Sequence, residues 1–116
     1  MQTTLSTIAH GRSGDKGNHS NIAIIAYRSA GYAWLVKNLT IEVVGAYFAG
    51  LQPAKIERYE APNLLGLNFV LYDVLDGGAS RSLRIDTQGK AYAFELLQMP
   101  IDVEDLQSML RNTKDV

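Results

Sequence analysis

Short apolar segments alternate with polar, turn-forming ones along the N-terminal part of the chain. Leu5 to Ala9 and Ile22 to Tyr27 are apolar enough to be buried, and between them runs the polar stretch His10-Gly11-Arg12-Ser13-Gly14-Asp15-Lys16-Gly17-Asn18. Thr, Ile, Ala and Tyr bounded by turn residues predict antiparallel strands over residues 3–10 and 19–28. The polar stretch is then a glycine-rich loop held at the end of a rigid pair. Ser29 is placed to cap a helix over residues 30–37, in which Tyr32, Trp34 and Leu35 supply the bulk. Thr40 caps a second helix over residues 41–49, with Ile41, Val44 and Phe48 at helical spacing and Gly50 as the stop.

Beyond Pro53, Lys55, Glu57 and Tyr59 alternate with Ile56, Arg58 and Glu60, a pattern suited to an exposed or edge strand. Asn63 then starts a helix expected to run to about Leu75. Leu64, Leu67, Leu71 and Leu75 form one stripe of it, and Leu65, Phe69 and Tyr72 another, so it must be nearly surrounded. Gly77-Gly78 ends it, Ser80 to Ile85 alternates as a strand, and Asp86 or Thr87 caps a helix stopped by Pro100. A last helical turn is expected through Leu106 and Leu110, before a polar tail. This order has no internal repeat and does not suit parallel crossovers. A mainly antiparallel sheet with helices packed on one face, an α+β sandwich of two layers, buries both the sheet and the apolar helices.

The 116 residues suffice for one domain with a real core. A net charge of −1 with scattered Lys and Arg removes the main argument for nucleic acid, which needs a concentrated basic surface. The absence of cysteine excludes disulfides, thiolate metal sites and a thiol nucleophile. No charged-then-apolar leader opens the sequence and no apolar run approaches bilayer length, so a cytoplasmic chain with no membrane contact is the expectation.

Candidate chemistry centres on the polar stretch. Gly11, Gly14 and Gly17 allow positive φ and close approach to a ligand, Arg12 and Lys16 add positive charge, and successive N–H groups in such a turn make an anion-holding concavity. The stretch matches neither the Walker pattern nor the dinucleotide fingerprint, and a solvated turn is the plain alternative. His10 and His19 bracket it and, with Asp15, are conceivable as acid, base or metal ligands. Two histidines without a firm third ligand make a poor zinc site, and no metal or other cofactor is expected. No nucleophile elbow surrounds any of Ser13, Ser20, Ser80 and Ser82. Arg81 shares a predicted strand face with Leu83 and Ile85, where it could fork onto a carboxylate or phosphate, or pair with Asp15, Asp73 or Asp76. Asn68, inside an apolar segment, needs partners if buried, and Asn63 lies at an element boundary.

Three separated motifs stand in the order of a known family. Arg12-Ser13-Gly14-Asp15-Lys16-Gly17-Asn18 is followed by Ser20-Asn21-Ile22. Next come Tyr59-Glu60-Ala61-Pro62-Asn63-Leu64 and Leu67-Asn68-Phe69-Val70-Leu71, then Gly77-Gly78 with Ser80-Arg81-Ser82-Leu83. Over about residues 7–102 the chain resembles the ferredoxin-like domain at the C-terminus of the acyclic terpene utilisation protein AtuA, as a stand-alone chain; His19 is a departure from the pattern. The resemblance implies a ferredoxin-like α+β domain over residues 1–103 with a tail over 104–116. It implies no iron–sulfur cluster, in keeping with the missing cysteines. It also implies a link to breakdown of terpenoid or branched acyl-CoA compounds. The motif positions, and hence the expected ligand-binding set, are Arg12, Ser13, Gly14, Asp15, Lys16, Gly17, Asn18, Asn63, Asn68, Arg81 and Ser82. An accessory subunit or binding domain for an anionic group is the first expectation. Its partners would be acyl-CoA or another anionic small molecule, or a protein resembling the AtuA N-terminal domain. A small hydratase or lyase with Asp15 or His10 as base and Arg81 as anion clamp is the second, and a homo-oligomerisation module using the sheet face or the Trp34 region the third.

Overall fold

The computed structural model describes residues 1–16, 19–73 and 92–111, without the side chains of Asp15 and Lys16. Its centre is an antiparallel four-stranded sheet in the order β2-β3-β5-β4, formed by β2 (Ala9–Lys16), β3 (His19–Ala26), β4 (Lys55–Ala61) and β5 (Gly66–Tyr72). A two-stranded ribbon pairs β1 (Gln2–Thr4) with β6 (Pro100–Asp102). Two helices, α1 (Ser29–Asn38) and α2 (Ile41–Tyr47), connect β3 to β4, and β5 lies between those two strands, so the unit is a split β-α-β. Residues 92–97 form a further helix, α3. This is the expected α+β layering of a ferredoxin-like domain, with helices against one face of the sheet.

Strand periodicity decides which face is covered. On β3 Ser20, Ile22, Ile24 and Ala26 are buried, and on β5 Leu67, Phe69 and Leu71; opposite residues in the ladder share a face. These side chains meet Leu35 of α1 and Leu39 just after it, Val44 and Phe48 at α2, and Tyr92, Ala93 and Leu96 of α3 in one core. Each fully buried Leu, Ile or Phe contributes about 1.5–3 kcal/mol of transfer free energy. Arg58 of β4 also points to this face, where its Nε donates to Leu39 O at 3.1 Å and a terminal nitrogen donates to Val36 O at 2.8 Å. The guanidinium thus satisfies two carbonyls at the C-terminal end of α1 that the helix itself leaves unpaired. At the start of α2, Thr40 accepts from the Val43 N–H at 3.1 Å, the expected cap.

Several expectations change. The glycine-rich loop is a strand: residues 9–16 pair with 19–26 throughout, Lys16 standing opposite His19. Gly11 and Gly14 therefore have extended backbones. At Gly11 the useful property is size, because a Cβ there would come within 2.5 Å of Ala23 O. Residues 3–10 are not one strand, since the short helical turn Leu5–Thr7 separates β1 from β2. Ser29 lies inside α1, whose N-cap is Arg28. The helix expected over 63–75 is instead a helical turn, Pro62–Leu64, followed by the central strand β5. Leu65 at φ 57° adopts the left-handed conformation that turns the chain into it. Pro100, expected only to stop a helix, opens β6, a strand-initial position where its missing N–H is tolerated. The expected strand over 80–85, the Gly77-Gly78 stop, the start of the helix at 86 or 87 and the last residues of the tail lie outside the described residues.

Candidate functional site

The helices cover one face of the sheet, and the other carries the side chains that the same alternation sends outward. Three rows cross it from β2 to β4. Arg12 stands opposite Ala23, Ala23 opposite Asn68, and Asn68 opposite Tyr59. In the next row Gly14, Asn21, Val70 and Glu57 are paired in turn. Beyond it the His19 ring meets the Tyr72 ring edge-on at 4.6 Å, and Tyr72 is paired with Lys55.

Where Gly14 and Ala23 leave the face low, a depression of about 240 Å³ opens, lined by Arg12, Ser13, Gly14, Asn21, Ala23 and Asn68. With strands about 4.8 Å apart, the Arg12 and Asn68 backbones are separated by about 10 Å. That is a span a guanidinium and an amide can close around one small group. Arg12 and Asn21 are exposed, Asn68 is half-buried, and Arg12 has no hydrogen-bond or ion-pair partner among the described residues. A guanidinium facing two carboxamides over a floor of small residues suits a planar carboxylate or similar anion: Arg supplies a two-pronged donor and Asn both donates and accepts.

The β4 side of the face carries the opposite charge. Glu57 Oε1 accepts from both the Tyr59 and Tyr72 hydroxyls at 2.6 Å, and its Oε2 lies 3.0 Å from Lys55 Nζ. Hydrogen bonds from Tyr59, then Tyr72, then Lys55 hold the carboxyl ionised and lower its pKa from 4.5 to about 2. The carboxylate in turn raises the pKa of each tyrosine, since losing the phenolic proton would break its bond and place two negative charges together. The face thus runs from the Arg12 cation on β2 to a fixed anion on β4, three strand spacings or about 14 Å away.

Of the residues expected to bind, Arg12, Ser13, Gly14 and Asn68 come together at this depression. Ser13 Oγ also accepts from the Ala93 N–H of α3 at 3.4 Å, reaching toward the helical layer. Asn63 is not among the residues brought together. It lies in the β4–β5 connection beyond the Ala61–Gly66 pair, at the end of the sheet opposite the Lys16–His19 pair. Asp15 and Lys16 are placed as backbone at that latter end, and Gly17, Asn18, Arg81 and Ser82 lie outside the described residues. His10 stacks on Tyr27 at 5.3 Å, away from His19. No group of three or more His, Cys, Asp or Glu placed to hold a metal occurs among the described residues. The sequence reading missed Asn21 and the Glu57, Tyr59 and Tyr72 cluster. The signal for the cluster was present: Glu57 and Tyr59 alternate on one face of the strand expected over 55–60.

The family model of the AtuA ferredoxin-like domain matches residues 3–102. No curated protein and no solved structure matches the chain. No described helix is long and apolar enough to cross a membrane.

Proposed function

The chain belongs to the AtuA ferredoxin-like domain family, and on that premise we propose that it works as a ligand-binding accessory domain. The uncovered sheet face receives the carboxylate or another compact anionic group of a small molecule. The observation carrying this reading is the depression in which Arg12, without a partner among the described residues, faces Asn21 and Asn68 over Gly14 and Ala23. Arg12 forks onto the anion, and the two amides orient it. The family's connection with terpene utilisation makes branched acyl-CoA thioesters and their free acids the compounds to try first. Glu57, already holding two hydroxyls and an ammonium group, sets a negative border on the β4 side that aligns an elongated ligand with its anionic end toward β2.

Isothermal titration calorimetry against short and branched carboxylates and acyl-CoA thioesters tests the reading. Saturable binding is expected, weakened about tenfold or more by Arg12→Ala, the loss of one charge-assisted contact. Heats that stay null across the panel, or binding indifferent to Arg12→Ala and Asn68→Ala alike, would remove it.

A further inference from the structure

A second depression, of about 430 Å³, belongs to the helical layer and is separate from the uncovered sheet face. One wall is made by Ala30, Ala33, Trp34, Lys37 and Asn38 of α1. Their spacing of i, i+3, i+4, i+7 and i+8 is a single stripe along the helix, about 12 Å long at 1.5 Å per residue. Alanines at its start leave the width, and the half-buried Trp34 provides a large apolar surface packed against the core. The other wall comes from the chain after β6: Asp102, Glu104, Asp105 and Met109.

The charges of the two walls do not cancel. Asp102 receives the terminal ammonium of Met1 at 2.9 Å, whereas Glu104 and Asp105 have no ion-pair partner among the described residues. Two carboxylates beyond the one that Met1 neutralises therefore face one lysine across an elongated trench with Trp34 and Met109 in it. Long cationic side chains complement such a lining, because their methylene stems cover apolar surface while their heads reach carboxylates or an aromatic face. A trench running two turns along a helix is longer than one side chain and accommodates a short stretch of polypeptide.

We propose that the groove between α1 and residues 102–109 docks a basic segment of a partner protein, with Lys or Arg heads on Glu104 and Asp105 and their stems against Trp34 and Met109. The inference is independent of ligand binding on the sheet face.

Trp34 is the only tryptophan of the chain, so its emission reports on this groove without labelling. The experiment titrates the full chain at low salt with a short peptide alternating Leu and Lys, with its Leu/Glu counterpart, and with spermidine. A saturable change in Trp34 emission is expected with the Leu/Lys peptide only. It should be weakened about tenfold by the surface double variant Glu104→Gln/Asp105→Asn, on the scale of two exposed charge contacts, and be unaltered by Arg12→Ala. Circular dichroism of the double variant checks that the fold is retained. An absent response, one equal for the Leu/Glu peptide, or one surviving in the double variant overturns the proposal. So does an equal response to spermidine, which would make the groove a small-amine site, or an emission change on raising protein concentration alone, which would make a second copy the occupant.

Discussion

The two faces of the central sheet are built from the same strands and obey opposite rules. On the covered side Ile22, Ile24, Leu67, Phe69 and Leu71 fill the space to the helices, and the charge of Arg58 has its donors matched to Val36 O, Leu39 O and the Glu60 carboxylate. On the uncovered side large and small, charged and amide side chains mix, and at Arg12 a charge is left without a partner among the described residues. The covered side is a solution to packing, with every position constrained by its neighbours. The other is constrained little by folding, so the arrangement of Arg12, Asn21 and Asn68 over small residues calls for an explanation in function.

Substitutions can break this contrast, beginning with the largest effect. Phe69→Ala is expected to cost about 3–5 kcal/mol in denaturant unfolding, against about 1 kcal/mol for Val70→Ala on the uncovered side of the same strand. Similar costs for both would mean that the second face is buried too. Arg58→Ala strands Leu39 O and Val36 O and should destabilise by about 2 kcal/mol, a loss Arg58→Lys recovers only in part because one ammonium cannot reproduce the fork. The glycines of β2 should separate in the same way. Gly11→Ala drives a methyl against Ala23 O and is expected to cost roughly 2 kcal/mol. A Cβ at Gly14 meets nothing within 4 Å, so Gly14→Ala should gain roughly 0.5 kcal/mol in thermal unfolding while filling the depression and weakening ligand. The smallest effect is electrostatic. Because the Glu57 pKa is lowered on folding, its contribution to stability is fully present above about 4.5 and is lost as pH falls toward about 2. Tyr59→Phe removes the leading cause, and NMR titration of the Glu57 carboxyl should then show a midpoint moved up toward 4.5.

Much of the architecture was legible because local signals agreed with tertiary ones. Thr40 caps where its spacing to Val44 and Phe48 says it should, and alternation over 55–60 marks a strand that is at an edge among the described ones. The failures fall where two periods fit the same residues. Leu64, Leu67, Leu71 and Leu75 satisfy helical spacing, but Leu67, Phe69 and Leu71 equally satisfy a strand with one buried face, and the half-buried Asn68 and Val70 between them were the deciding residues. Arg12, Gly14 and Lys16 read as loop for the converse reason: polar residues and glycine are unusual in a strand unless one side of it is open. The candidate site was half visible, since Arg12, Ser13, Gly14 and Asn68 meet only through strand pairing, which brings residues more than fifty positions apart within reach. Glu57 and Tyr59 were legible as neighbours on one face of β4, whereas Tyr72 joins them only through the β4–β5 register.

The ribbon of β1 and β6 has a consequence for how the polypeptide acquires its shape. Gln2 is matched with Asp102, so β1 has no strand partner until a segment one hundred residues further along the chain is in place. The β4–β5 hairpin, spanning fewer than twenty residues, closes over far shorter distances. Loop-closure entropy therefore favours the hairpins as the first pairings to form and the β1–β6 clasp as the last.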